Sequence, residues 1–167
     1  MSEVAMELVG VRIELPSNQP IVLLRESDGS RYLPIWIGAV EATAIAYALE
    51  GILPQRPMTH DLLKNATESL GATVSRVIVT ELRDNVFYAD LVFDKNADEI
   101  RVSSRPSDAI ALAARSGAPL FAATQVLDEA GIELRDEDEE EMVEQMREFL
   151  DEVTPADFDT GPPEEGA

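Results

Sequence analysis

Apolar and polar residues alternate from Glu7 to Leu15, which places Val9, Val11, Ile13 and Leu15 on one side of a predicted strand. Met6 and Leu8 fall out of phase with that side across Gly10, so a bulge near Gly10 is expected. After the turn Pro16-Ser17-Asn18, the unbroken apolar run Ile21 to Leu24 reads as a strand covered on both faces. A third strand, Arg31 to Ile37, carries Pro34, which cannot donate to a ladder and marks an edge or an irregularity. The period then changes to helical. Ala42, Ile45, Ala46 and Leu49 form a stripe between Glu41 and Glu50, closed by Gly51 and Pro54. Thr59 is the expected N-cap of a second helix whose buried stripe is Leu62, Leu63, Ala66 and Leu70, with Gly71 as its stop.

The strand pattern resumes at Val74 to Leu82, Val86 to Phe93 and Glu99 to Ser103, and a helix follows from Arg105 to Arg115. Ser103 or Ser104 is the expected cap of this helix. Pro106 lacks an N–H that the first turn would leave unpaired, and Asp108 sets negative charge at the positive end of the dipole. Ala109 to Ala114 is apolar all round, so burial on more than one side is expected. A shift of 65 residues superposes Val9 on Val74, Ile13 on Ile78, Ile35 on Ile100 and Ala44 to Ala46 on Ala109 to Ala111. The reading is an internal repeat, residues 6–52 and 72–117, with the 59–70 helix inserted between the copies. Pro119 to Phe121 is expected to form a short strand and Gln125 to Leu127 a turn of helix.

The pattern therefore predicts an α+β fold, in which strand-strand-strand-helix units build a mainly antiparallel or mixed sheet with packed helices. It spans one domain, residues 1–131. An acidic amphipathic helix over 132–153, with Met142, Met146, Phe149, Leu150 and Val153 on one stripe, and a disordered acidic tail over 154–167 complete the chain.

Charge refines the functional expectation. The net charge is −20, but from Asp128 onward there are 17 acidic and 2 basic residues, so the body is only mildly acidic. Long-range repulsion opposes nucleic-acid binding unless a local basic patch or a divalent cation reverses the field. There is no cysteine, no apolar stretch near the ~18 residues of a membrane span and no signal pattern, so the expected location is the cytoplasm, away from membranes.

No nucleophile elbow, phosphate-binding glycine loop or His-x-x-x-His pair occurs, and His60 is the single histidine. Polar residues at element junctions supply the candidate chemistry. Phosphodiester hydrolysis requires an activated water or hydroxyl and a neutralised phosphate. Glu41, Asp61, Asp90 and Asp108 are candidate ligands for Mg²⁺ or Mn²⁺. His60, Asp61, Arg105 and Asp108 are the candidate catalytic set, with His60 as acid or base and Arg105 as phosphate clamp. Arg31, Arg56, Tyr88 and Ser107 are candidate substrate contacts. Each also has a plain structural role available: carboxylates in first helical turns favour the dipole, Arg105 can serve as an ion-pair partner, and Trp36 reads as core or subunit contact.

The stretches Arg31 to Gly38 (RYLPIWIG), Glu41 to Ala46 (EATAIA), Arg56 to Leu63 (RPMTHDLL), Phe87 to Leu91 (FYADL) and Arg105 to Leu112 (RPSDAIAL) together resemble the bifunctional nuclease domain family, over about Glu7 to Gly131. The acidic C-terminal segment resembles that of actinobacterial members. The resemblance implies an α+β fold, a homo-oligomer and a nuclease active on RNA and DNA; with the candidate carboxylates, His60 and Arg105, the expectation is a phosphodiester hydrolase of low sequence specificity with divalent-cation assistance. The alternative is a non-catalytic oligomeric module, binding or regulatory, that recognises a small anion or a partner protein.

Overall fold

The computed structural model describes residues 2–14 and 16–134, together with the single positions 140, 141, 144 and 148. In chain order the elements are β1 (Glu3–Glu14), β2 (Gln19–Glu26), β3 (Arg31–Trp36), α1 (Ala39–Glu50), α2 (Thr59–Ser69), β4 (Thr73–Arg83), β5 (Val86–Lys95), β6 (Asp98–Ser104), α3 (Pro106–Ser116), β7 (Leu120–Ala123), α4 (Thr124–Ala130) and β8 (Ile132–Glu133). The eight strands form one mixed sheet in the order β6-β5-β4-β7-β1-β2-β3-β8. This is the α+β architecture the pattern predicts.

Two antiparallel meanders, β1-β2-β3 and β4-β5-β6, are joined through β7, which runs parallel to β4 and antiparallel to β1. Each meander leads into a helix, and these two helices, α1 and α3, pack against each other. The hairpin between β4 and β5 turns on Asp84 and Asn85, both at positive φ, a conformation that Asp and Asn adopt more readily than most residues and that suits the twist of a tight hairpin.

The expected bulge lies between Leu8 and Gly10, where the β1–β2 register shifts. It brings Met6 and Val11 into the same core, whereas Val9 leaves their face to pack with Leu23 and Tyr32. The continuous run in β2 is covered on both sides, Val22 and Leu24 by the main core and Leu23 by the smaller cluster. Pro34 is tolerated because β8 pairs only with Arg31 and Tyr32, which leaves the outer side of Pro34 without a ladder.

Several expectations change. The N-cap of α3 is Arg105, not Ser103 or Ser104, since β6 runs on to Ser104 and the chain enters the helix directly at Pro106. Met58 rather than Thr59 is the N-cap of α2, and the expected stripe of that helix is not its buried side. Of that stripe only Leu63 packs on the core; Leu62, Ala66 and Leu70 are exposed and His60 is the fully buried residue, because α2 also lies against α3 through its polar first turn. In α1, Ala42 to Tyr47 are buried around the full circumference, while Leu49 is partly exposed. The expected 132–153 helix begins instead as β8, and the remainder of it and the tail lie outside the described residues apart from the single positions named above. Among the described residues no helix is long and apolar enough to cross a membrane.

Candidate functional site

The polar entrances of three helices meet. Arg105 ends the β6–α3 junction, Asp108 lies in the first turn of α3, Glu41 in the first turn of α1, and His60 in the first turn of α2. His60 Nε2–H donates to Asp108 Oδ1 at 2.8 Å. Arg105 Nε donates to Asp108 Oδ2 at 2.9 Å, and its Nη2 spans Asp108 Oδ1 at 3.2 Å and Glu41 Oε1 at 2.9 Å. Arg105 Nη1 has no partner among the described residues. Burial drives the Asp108 carboxyl upward, but the hydrogen bonds from Arg105 and His60 outweigh it and hold the group below its ordinary value. The same two carboxylates hold the Arg105 guanidinium in its charged form, Asp108 more than Glu41.

Exposure divides the roles. The Arg105 side chain is 65% exposed and Asp108 30%, whereas the His60 side chain is 9% exposed behind them. Arg105 is thus the group that meets solvent, Asp108 the solvent end of a carboxylate–imidazole pair, and His60 its buried end.

Asp61 points elsewhere. Its Oδ1 accepts from Arg115 Nε at 2.7 Å and its Oδ2 from the Met58 N–H at 2.9 Å, so it caps α2 and ties it to the last turn of α3. Burial raises its pKa, and the Arg115 and Met58 bonds reverse that and leave it lowered. Arg115 was not among the sequence candidates. The signal for it was a basic residue at the end of an otherwise apolar helix, where the dipole favours positive charge.

The remaining candidates are separate. Asp90 lies on β5 opposite the core residues Ala89 and Leu91, with Arg101 at 3.5 Å. Arg31 is held by Glu26 and by Asp128. Tyr88 lies beneath the Arg83 guanidinium, 4.6 Å from it. Arg56 is exposed and has no charged partner among the described residues. Ser107 is buried beside Arg105.

For a divalent cation the test is the donor set. Among the described residues no three His, Asp or Glu side chains stand together as metal ligands, so the expected quartet of Glu41, Asp61, Asp90 and Asp108 does not assemble. The reason is charge pairing: Arg115 takes Asp61, Arg101 takes Asp90, and Arg105 sits between Glu41 and Asp108.

Residues 22–135 match the family described as the bifunctional nuclease domain. The chain belongs to that family. An uncharacterised protein of Mycobacterium tuberculosis is 48% identical over 161 residues, covering 92% of this chain and 96% of its own. Bifunctional nuclease 1 of Oryza sativa subsp. japonica is 32% identical over 103 residues, 60% of this chain and 31% of the rice protein. Bifunctional nuclease 1 of Arabidopsis thaliana is 30% identical over 105 residues, 60% of this chain and 32% of the plant protein. The bifunctional nuclease domain therefore supports a nuclease-related function, and the described site is what it has to offer for one.

Proposed function

We propose that the protein is a phosphodiester hydrolase acting on RNA and DNA with low sequence specificity, and that the Glu41–Arg105–Asp108–His60 cluster is its active site. The observation that carries this reading is Arg105, exposed, charged and set between two carboxylates, one of them shared with a histidine. The free Nη1 of Arg105 offers two N–H groups to the non-bridging oxygens of a phosphate. Glu41 accepts the proton of the attacking water as the new P–O bond forms. The leaving oxygen takes its proton from solvent water as the old bond breaks, while the Asp108 carboxylate, itself held by His60, keeps Arg105 against the phosphate. The Mg²⁺ or Mn²⁺ expected from the sequence has no assembled ligand set, and no step is routed through a cation.

Family membership and the plant bifunctional nucleases support the reading.

Cleavage of single-stranded RNA and DNA, measured with EDTA, with Mg²⁺ and with Mn²⁺, tests the mechanism. Arg105→Gln and Asp108→Asn are each expected to lower the rate by about 100-fold or more, and EDTA to leave it in place. Cleavage unchanged in both variants refutes the site. The second reading, a non-catalytic binding module, is favoured by the closed ion pairs that tie α1, α2 and α3 together. It predicts no cleavage under any of these conditions.

A further inference from the structure

A cleft of about 340 Å³ opens beside the cluster and shares Arg105 with it. Its apolar lining includes Trp36 at the end of β3, with Val86 and Phe87 at the start of β5. Gly38, Arg105 and Ser107 also line it, so it borders the N-terminal ends of α1 and α3. These two ends differ. The Glu41 carboxylate folds back over Gly38 and faces the positive end of α1. In α3, Asp108 is turned to Arg105 and His60, and the Ser107 and Asp108 N–H groups precede the first intrahelical bond, from Ala109 N–H to Arg105 O.

A second and independent feature is the Ser107 hydroxyl. Ser107 is 6% exposed, lines the cleft, and its hydroxyl has no hydrogen-bond partner among the described residues. A buried hydroxyl without a partner is costly, and a site that supplies its partner from a ligand removes that cost. Trp36 lines the same cleft. It is the single tryptophan of the chain and is 53% exposed, so an aromatic surface is left open beside that hydroxyl's cleft.

We propose that this cleft binds one nucleotide unit of a single-stranded nucleic acid, its base stacked on Trp36 and its phosphate held by the Ser107 hydroxyl, the α3 N-terminus and Arg105. A helix N-terminus with free N–H groups and a hydroxyl suits a phosphate, and an exposed aromatic accepts any base by its face without reading sequence. The volume lies at the lower end of the ~300–1,000 Å³ of ligand sites, a fit for one nucleotide unit. The proposal rests on the nuclease reading and gives that site its substrate class. The phosphate bound here would lie next to Arg105, which the cleft shares with the cluster.

Trp36 is its own reporter. Its fluorescence is titrated with a nucleoside 5′-monophosphate, with the nucleoside alone and with inorganic phosphate. Saturable quenching by the monophosphate, at concentrations at least about tenfold below those needed for the nucleoside, is expected, because a hydrogen-bonded phosphate contributes on that order. Ser107→Ala is expected to weaken the monophosphate by roughly fivefold to tenfold and to leave the nucleoside unchanged, with circular dichroism verifying the fold. Trp36→Ala, followed through 2-aminopurine monophosphate emission, is expected to weaken binding about tenfold, and Trp36→Phe to retain most of it. No saturable quenching, or equal quenching by nucleoside and monophosphate, overturns the proposal. Cleavage without monophosphate binding removes the cleft and leaves the nuclease reading. Binding without cleavage supports the cleft and removes that reading.

Discussion

At Asp108 one carboxylate satisfies a histidine of α2 and the arginine that opens α3. Its pKa and that of Asp61 are both lowered, so the sign of their contribution to stability is fixed. Stability from each is fully present above the ordinary carboxylate value of about 3.9 and is lost as pH falls through the lower folded value. Thermal unfolding followed by circular dichroism should therefore give a level Tm between about pH 7 and pH 5 and a falling one below about pH 4. Asp108→Asn should start lower at neutral pH and fall less on acidification. An Asp108→Asn curve parallel to the parent would show that the carboxylate does not contribute through its charge.

The helices differ in how they are held. In α3, Ile110 and Leu112 are fully buried and the helix closes at Gly117, whose φ of 71° suits glycine and strains other residues. Ile110→Ala should cost about 2–5 kcal/mol in denaturant unfolding, the range for a cavity in a packed core. Gly117→Ala should cost about 1 kcal/mol, since it imposes only local strain. By contrast α2 fully buries only His60 and packs Leu63 on the core, and its polar ties to α3 are Asp61–Arg115 and His60–Asp108. Arg115→Met should accordingly increase hydrogen exchange in α2 well before it affects the sheet, because it leaves the Asp61 carboxylate without its ion-pair partner. Equal exchange in α2 and β4 would place that ion pair outside the determinants of α2 docking.

At the scale of the molecule, the net charge of −20 acts on any polyanion before the site does. Raising salt from about 10 mM to 100 mM shortens the screening length from about 30 Å to 10 Å. The expected result is a faster initial rate on a long single strand and little change on a dinucleotide. A rate on the long strand that falls steadily with salt would instead indicate a basic surface that dominates binding. The mixed sheet also sets what the site can be, because it brings the entrances of α1 and α3 to one side while β5 carries Asp90 on its other face.

Local rules determined much of this. The apolar periods gave the strand and helix order, the Gly10 bulge follows from a phase change visible between Leu8 and Val11, and the double coverage of β2 follows from four apolar residues in a row. The motif residues His60, Arg105 and Asp108 were legible as polar groups at helix starts, since caps and dipoles impose chemistry on those positions whatever the fold. Other features depended on long-range pairing. β7 joins the two meanders by pairing with β4 and β1, strands distant in sequence, and nothing within Leu120 to Ala123 specifies those partners. Period alone placed Leu63 of α2 correctly on the core but not Leu62 and Leu70, because the first turn of that helix is held by ion pairs with a helix some fifty residues away. For the same reason the choice among carboxylates lay beyond the sequence. Glu41, Asp61, Asp90 and Asp108 are alike as carboxylates in the sequence, and only the tertiary arrangement decides which arginine pairs with each, and hence that Glu41 and Asp108 share one.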